Sequence, residues 1–312
     1  IDAVIYSQKE LDGCTVIKSY ARFIKENWSS LEQIVFIGAM GICVRSIAPC
    51  VKDKYKDPAV VCVDSTGRFV IPVLSGHIGG ANDLARQIAQ AIDGQAVVTT
   101  QSDNTGLWAL DTLATKYNWH TDISRARMNS AIALFVEKHP TALLLEVRDA
   151  GTDYLESTLP GHVKVFSKYD DIDLSQFALL ITVGPHTFDA PIPVLSYYPQ
   201  VLHIGFGCRR QCMADGIAEH IENCLKENGL SPLAIASIGT IELKKDEPLL
   251  ADLQSRWSWA VTDIWSKSDL EEIEVPNPSQ KAFEVTGVYG VAEGAALRSS
   301  GDGILLIEKQ KG

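Results

Sequence analysis

The chain of 312 residues contains no C-x-x-C pair, and its seven cysteines form no cluster with histidine at zinc-finger spacing. These absences exclude the common dithiol-redox and zinc-binding motifs, and we expect no metal site. No apolar run is long enough to span a membrane, and the first residues show no signal-peptide pattern. We therefore expect reduced, largely buried thiols and a cytoplasmic protein.

Positive charge is also scarce, since 28 lysines and arginines stand against 39 acidic residues and leave a net charge of −11. Electrostatic repulsion then opposes broad binding to nucleic acid or to an acidic membrane surface. A small anionic ligand is still possible, because it responds to a local pocket and not to the whole field. Basic residues inside glycine loops are therefore the informative ones.

Apolar, strand-like runs alternate with amphipathic helical patterns along the whole chain. This alternation predicts an α/β fold of two or three layered domains with largely parallel sheets. We expect an N-terminal domain over residues 1–117, a central region over residues 118–199 that ends in a proline-rich linker, and a C-terminal domain over residues 200–312.

The individual elements follow from the same periodicities. The expected strands are Ile34–Ile37, Ala59–Val63, Phe69–Leu74, Ala96–Thr99, Ala142–Val147, Phe177–Val183, Val201–Phe206, Ala260–Ile264 and Ile304–Glu308. The expected helices are Ile42–Ala48, Ala81–Ile92, Leu107–Tyr117, Ser130–Glu137, Pro248–Trp257 and one that starts at Gly207–Arg210 and ends before Gly229.

The segment Ile71–Asp83, IPVLSGHIGGAND, joins an expected strand to an expected helix through a glycine loop that holds His77. A helix start offers unblocked N–H groups and a positive dipole end, so this loop can receive an anion. His77 is then a candidate general base or acid, with loop N–H groups stabilising an oxyanion. Alternatively, the glycines only form the turn, and His77 caps the helix or packs.

Two neighbouring polar residues could take part in chemistry. Ser75 could act as a nucleophile beside His77, although the chain lacks a G-x-S-x-G elbow. Asp103 follows the expected strand Ala96–Thr99, at a position where α/β sheets place ligand contacts. It is either an acid or acceptor, or a helix cap.

Two further glycine loops follow expected strands and carry basic residues. The first holds Gly38, Gly41 and Arg45, and the second is Gly207-Cys208-Arg209-Arg210. Glycines let a ligand approach the backbone, and paired arginines can bind carboxylates bidentately. The alternative is that these arginines form ion pairs on an acidic protein. Neither loop has the G-x-G-x-x-G or P-loop fingerprint, which disfavours a nucleotide-binding enzyme.

Several long motifs, in this order, resemble the cobalt-precorrin-5A hydrolases of anaerobic cobalamin biosynthesis. The N-terminal ones are GAMGICVRSIAP, DPAVVCVD, FVIPVLSGHIGGANDLA and VVTTQSD. The C-terminal ones are HIGFGCRR, GVYGVAEGAAL and ILLIEKQK. Between residues 119 and 199 the resemblance is limited to the rhythm of strands and helices.

The resemblance implies a substrate that is a cobalt-bearing tetrapyrrole with many carboxylate side chains and one δ-lactone. Hydrolysis opens the lactone and releases acetaldehyde, giving cobalt-precorrin-5B. No separate cofactor is implied, since the cobalt arrives with the substrate. The implied partners are this anionic substrate and other enzymes of the cobalamin pathway, with no nucleic acid and no membrane.

On this basis His77, Asp83 and Asp103 are the expected catalytic residues, with either carboxylate orienting the imidazole. The residues expected to bind substrate lie in the three glycine loops: Gly38, Gly41, Arg45, Ser75, Gly76, Gly79, Gly80, Asn82, Gly207, Arg209 and Arg210. An alternative function is a non-catalytic carrier of tetrapyrrole intermediates. A carrier needs anion-binding groups but no proton-transfer group, so His77 is the feature that separates the two.

Overall fold

A computed structural model of the chain describes residues 3–53, 55–100, 106–210, 212 and 215–310. It divides into two compact units, Ile1–Leu113 and Ala114–Gly312. Both contain mostly parallel sheets covered by helices, which confirms the predicted α/β class. The division into three segments at residues 117/118 and 199/200 stays a prediction. Among the described residues, no helix combines the length and apolar character that a membrane span needs.

The first unit is built on a four-stranded sheet. In chain order its elements are β1 (Tyr6–Ser7), β2 (Thr15–Val16), α1 (Tyr20–Asn27), β3 (Gln33–Ile37), α2 (Met40–Ile47), β4 (Ala59–Val63), β5 (Phe69–Leu74), α3 (Ala81–Ala91) and β6 (Gln95–Ala96). The sheet order is β3-β4-β5-β6, and β1 pairs with β2 separately. One face packs on α1 and α2, and the other packs on α3.

The direction of β5 determines where the loops of this sheet lie. β3 and β4 are parallel, with Ile37 beside Val63, whereas β4 and β5 are antiparallel, with Val60 beside Leu74. The loop after β3 and the loop after β5 therefore leave the sheet at opposite ends of its strands. From the first to the last residue of β4, these two ends of the sheet are about 13 Å apart at about 3.3 Å per step.

Helix α4 (Leu110–Tyr117) crosses the boundary between the units. The second unit contains two parallel sheets. The first sheet has the order β10-β9-β7-β8. Its elements are α5 (Arg125–Val136), β7 (Thr141–Leu145), α6 (Ala150–Ser157), β8 (Val163–Phe166), β9 (Leu179–Val183) and β10 (Val194–Tyr197). All its strand pairs are parallel. Because β10 lies between Pro193 and Pro199, the prediction that this stretch is only a linker is wrong.

The second sheet has the order β11-β12-β13. Its elements are β11 (Leu202–Gly205), α7 (Ile217–Glu227), β12 (Ile235–Ile241), α8 (Pro248–Arg256), β13 (Val261–Trp265), α9 (Lys267–Glu271), α10 (Gln280–Thr286) and α11 (Val291–Ser300). Helices α7 and α8 share a core with β11 and β12 around Leu253 and Trp257. α11 lies against β11, where the backbone of Ala292 sits directly over Gly205 and excludes any side chain there.

The terminal segment Ile304–Glu308 forms no strand, so that prediction is wrong. The next residue, Lys309, donates its backbone N–H to Glu293 in α11 at 3.0 Å. The side chain and backbone N–H of Asn277 donate to the same carboxylate at 2.8 Å and 3.1 Å. Burial opposes the charge of Glu293, which is 2% exposed, but these hydrogen bonds outweigh it and lower the pKa of the carboxyl group.

Replacing Glu293 by glutamine should lower the free energy of unfolding at pH 7 by about 1–3 kcal/mol, because buried donors lose their charged acceptor. The pKa of Glu293 is lower in the folded state, so its contribution is full above the unfolded pKa and is lost as pH falls through the folded value. Urea unfolding of wild type and Glu293→Gln should therefore converge below roughly pH 4. The exposed Glu284→Gln is the control, and a gap independent of pH would contradict this role.

Candidate functional site

The loop between β5 and α3 is a closed turn built from its own backbone. Ser75 has a φ of +55° and Gly80, the residue before α3, has a φ of +79°. The N–H of Gly80 donates to the His77 carbonyl at 3.0 Å. The N–H groups of Ala81 and Asn82 donate to the carbonyls of Ser75 and Gly76 at 3.2 Å and 3.0 Å.

These bonds correct one expectation about the loop. Gly80 was expected to offer its N–H to an anion, but the turn folds back so far that the His77 carbonyl takes this donor. The next two amides, at the start of α3, are occupied in the same way. An oxyanion role for a loop N–H is therefore left to Gly79.

Ser75 anchors the loop to the segment before β4. Its hydroxyl donates to the carbonyl of Asp57 at 2.9 Å, so its proton points to backbone and not to an imidazole. This bond speaks against Ser75 as a nucleophile. The Asp57 carboxylate is buried, and burial opposes its charge, but bonds from the N–H groups of Lys52 and Asp53 and from the Trp28 indole lower the pKa of this carboxyl group.

Asn82 and the loop glycines form a tightly packed cluster. Asn82 is buried and donates from Nδ2 to Thr100 Oγ1 at 2.8 Å. A Cβ atom on Gly76 would lie 2.8 Å from Asn82 Oδ1, and one on Gly79 would lie 2.5 Å from the Cβ of Ser75. Glycine is needed at both positions for packing. Asn82, one of the residues expected to bind substrate, thus links the loop to Thr100, which lies four residues beyond β6.

Of the three expected catalytic residues, the structure describes His77 and Asp83. His77 itself is half-buried. Asp83 is on the first turn of α3, its carboxylate 78% exposed and paired with Arg86 Nη1 at 2.8 Å. Asp103, the other carboxylate expected to orient His77, lies outside the described residues.

The Gly38 loop lies at the other end of the strands of the same sheet. Gly38 has a φ of +147°, and its N–H donates to the Val63 carbonyl at 2.8 Å. Arg45 is exposed, with its guanidinium over Gly41, where an added Cβ would lie 3.7 Å from Nη2. Arg45 and His77 are therefore not adjacent, and a ligand that meets both must reach across the sheet.

The Gly207 loop differs from the prediction in its connection to the next helix. α7 begins at Ile217, with Gly216 at φ +77° before it, so Arg209 and Arg210 lie in an exposed loop and not on a helix N-terminus. Beneath this loop, Lys244 and Glu247 form a buried ion pair at 3.1 Å. Burial, reinforced by the Glu247 charge, raises the pKa of the Cys208 thiol to about 11.

The anchoring residues Asp57, Lys244 and Glu247 were missed by sequence reasoning. Asp57 belongs to the motif DPAVVCVD, but its role depends on its backbone carbonyl, on two nearby backbone donors and on the distant indole of Trp28. Within the part of the chain that the structure describes, no group of three His, Cys, Asp or Glu side chains comes together as a metal site.

Replacing Gly79 by alanine should destabilise the first unit by about 1–3 kcal/mol, because the new methyl group collides with Ser75. Gly161→Ala is the matched control, since an added Cβ there meets nothing within 4 Å, and its effect should stay within about 0.5 kcal/mol. Urea unfolding measures both. Equal stability of the two variants would refute the packed loop.

Three family models match the chain in order: Cobalamin synthesis G N-terminal over residues 22–103, Cobalamin biosynthesis central region over 108–199, and Cobalamin synthesis G C-terminus over 202–312. Cobalt-precorrin-5A hydrolase of Priestia megaterium is 35% identical over 291 residues, which cover 91% of this chain and 77% of that protein. The enzyme of the same name from Salmonella typhimurium is 34% identical, covering 76% of this chain and 67% of that one.

Among solved structures, CobE, a protein from the cobalamin (vitamin B12) biosynthetic pathway, matches with 33% identity and a TM-score of 0.30. It covers 32% of this chain and 72% of that one, and so low a score transfers no geometry. The two sequence relatives establish the family, because each is more than 30% identical to this chain and is matched over at least two thirds of its own length. The chain belongs to the cobalt-precorrin-5A hydrolase family, the family of cobalamin synthesis protein G.

Proposed function

We propose that the chain is a cobalt-precorrin-5A hydrolase, an enzyme that opens a lactone on a cobalt-bearing tetrapyrrole and releases acetaldehyde. The observation that carries this proposal is the 35% identity to the Priestia megaterium enzyme over nearly the whole chain. The His77 loop supports it, because that loop holds an imidazole at the start of a helix in a rigid turn.

The reaction has two stages, and each needs a proton acceptor. In the first, water adds to the lactone carbonyl carbon, the acyl C–O bond breaks, and the departing oxygen takes a proton to become a hydroxyl. In the second, that hydroxyl loses its proton as the neighbouring C–C bond breaks. The bonding electrons pass to the macrocycle, which takes up a proton, and acetaldehyde leaves.

His77 is the proposed acid–base group in the first unit, with the Gly79 N–H as donor to the developing oxyanion. Asp83 or Asp103 is the proposed orienting carboxylate, and the Asp83–Arg86 pair must then open or be shared. The glycines Gly38, Gly41 and Gly207 and the cations Arg45, Arg209 and Arg210 are proposed to receive carboxylates of the macrocycle.

Cobalt belongs to the substrate in this proposal, and no separate cofactor takes part. The enzyme is proposed to work in the cytoplasm beside other enzymes of the cobalamin pathway, from which it receives one anionic tetrapyrrole and to which it passes the next. The net charge of −11 makes local basic loops the natural contact for such a ligand.

The direct test is to incubate the purified protein with cobalt-precorrin-5A and measure acetaldehyde. The proposal expects catalytic release of acetaldehyde together with a product that has lost the two-carbon fragment. Stoichiometric binding of the macrocycle without acetaldehyde would instead indicate the carrier function.

Substituting His77 by alanine should lower the rate of acetaldehyde release by about 100-fold or more, which is the usual contribution of a general base. Binding of the macrocycle should change little, because backbone hydrogen bonds maintain the loop conformation without the His77 side chain. His139→Gln is the control, since His139 is an exposed histidine of the other unit. Wild-type turnover by His77→Ala would remove His77 from the reaction.

Substituting both Arg209 and Arg210 by glutamine should weaken binding of the macrocycle by about tenfold or more, through the loss of charge-assisted hydrogen bonds. The measurement is a titration of the cobalt chromophore in visible absorption. The exposed Arg22→Gln serves as control for the loss of surface charge. An unchanged dissociation constant for the double variant would show that this loop does not meet the substrate.

A further inference from the structure

The first sheet of the second unit contains a topological switch point. β7 and β9 are adjacent and parallel, yet the chain leaves β7 toward β8 on one side and leaves β9 toward β10 on the other. The two connections therefore diverge at the carboxyl ends of β7 and β9. This is where open parallel α/β sheets place their ligands.

Two titratable side chains occupy this switch point. Glu146 directly follows β7, and His186 follows β9 by way of Gly184 and Pro185. His186 Nδ1 lies 2.8 Å from Glu146 Oε1, and the backbone N–H of His186 donates to Oε2 at 3.3 Å. The carboxylate lies against Gly184, where any side chain would collide with it.

The pair is oriented in a way that suits proton transfer. His186 Nδ1 is buried and lies close to Glu146 Oε1, but the two atoms are not aligned for a hydrogen bond. The Glu146 side chain is 18% exposed, whereas the His186 side chain is 41% exposed. The carboxylate therefore lies beside the buried ring nitrogen at ion-pair distance, and a small rotation of the ring would align the two. Because the ring is partly exposed, its other nitrogen, Nε2, is the candidate for contact with a ligand. A carboxylate on Nδ1 and an accessible Nε2 is the arrangement of a general base and its orienting group.

The loop that carries His186 is held without this pair. The N–H of Thr187 donates to the Gly229 carbonyl at 2.7 Å, and the N–H of Ser231 donates to the Pro185 carbonyl at 2.8 Å. These bonds form a short antiparallel bridge between His186 and Leu230. These backbone bonds position the loop in addition to the bond from the His186 N–H to Glu146 Oε2, and the contact of the other carboxylate oxygen with the imidazole is not needed to fix it.

Other charged groups at this edge are engaged elsewhere. Asp149 caps α6 and accepts from the Trp119 indole at 2.7 Å, and Arg148 pairs with Glu156. Glu146 and His186 contact each other across 40 residues of sequence, and neither belongs to the three glycine loops.

We propose that Glu146 and His186 form a second acid–base pair, in which His186 exchanges a proton with the substrate and Glu146 is its positioning residue. The inference rests on the proposed function, whose two stages each require a base. The ligand class is a lactone or the secondary hydroxyl that its opening frees. His186 Nε2 accepts the proton either of the attacking water, as the acyl C–O bond breaks, or of the freed hydroxyl, as the C–C bond breaks.

The test uses the full chain with His186→Gln and Glu146→Gln, and it measures both acetaldehyde release and the dissociation constant of the macrocycle. His139→Gln is a matched control, because His139 Nε2 contacts the Glu137 carboxylate at 3.2 Å on the surface before β7, at the opposite edge of the same sheet. Thermal unfolding establishes that each variant is folded, as the backbone bonds of the loop predict.

We expect His186→Gln to lose about 100-fold or more in kcat, with the dissociation constant unchanged within about threefold and His139→Gln at the wild-type rate. Mass spectrometry then identifies the stage, since either intact lactone or the opened hydroxy acid accumulates. Glu146→Gln should lower kcat in the same direction, and Glu146→Asp should restore part of it. Added imidazole should partly rescue His186→Ala, which a merely structural histidine would not allow.

A wild-type kcat for His186→Gln in a folded protein would overturn the inference, and so would a loss shared equally by His139→Gln. Both outcomes leave the proposed function intact, because the wild-type enzyme still releases acetaldehyde. If the wild-type protein releases none, the proposed function itself fails, and this inference fails with it.

Discussion

β4 and β5 pair antiparallel in an otherwise parallel sheet, and this pairing decides which loops of the first unit can act together. Because of this pairing, the loop with His77 and the start of α3 lie beside Asp57 and Thr100. The Gly38 loop lies at the opposite end of the strands. The two glycine loops of this unit, which look equivalent in sequence, therefore lie at opposite ends of the sheet. Only the loop after β5 combines an imidazole with a turn that cannot bend, because Gly76 and Gly79 have no room for a side chain.

In the second unit the parallel pairing of β7 with β9 has the same kind of consequence. The chain departs from these two strands in opposite directions, and Glu146 from one strand end meets His186 from the segment after the other. A reaction that opens an ester and then breaks a C–C bond needs a proton acceptor at each stage. The two proposed proton acceptors, His77 and His186, both follow strands whose direction decides which side chains lie beside them.

The sequence predicted best those elements whose patterns are local. β4 and β5 have the predicted bounds, and α3 ends one residue before its expected end. β10 was not predicted because the prolines around it were interpreted as a linker, although β10 is an edge strand and an edge strand tolerates proline. The helix α7 starts at Ile217, so Arg209 and Arg210 do not lie in its first turn as expected. Glu146 was absorbed into a predicted strand, and its partner is 40 residues away, so no local pattern could reveal the pair.

The central claim is that the loop after β5 meets the reacting end of the substrate. A crystal structure of the His77→Ala variant soaked with cobalt-precorrin-5A tests it directly, since that variant should bind the macrocycle without consuming it. We expect the lactone beside the Ser75–Gly80 turn, with its carbonyl about 3 Å from where the imidazole nitrogen would lie. A macrocycle bound with its lactone at the Gly38 edge of the sheet, out of reach of residue 77, would contradict it.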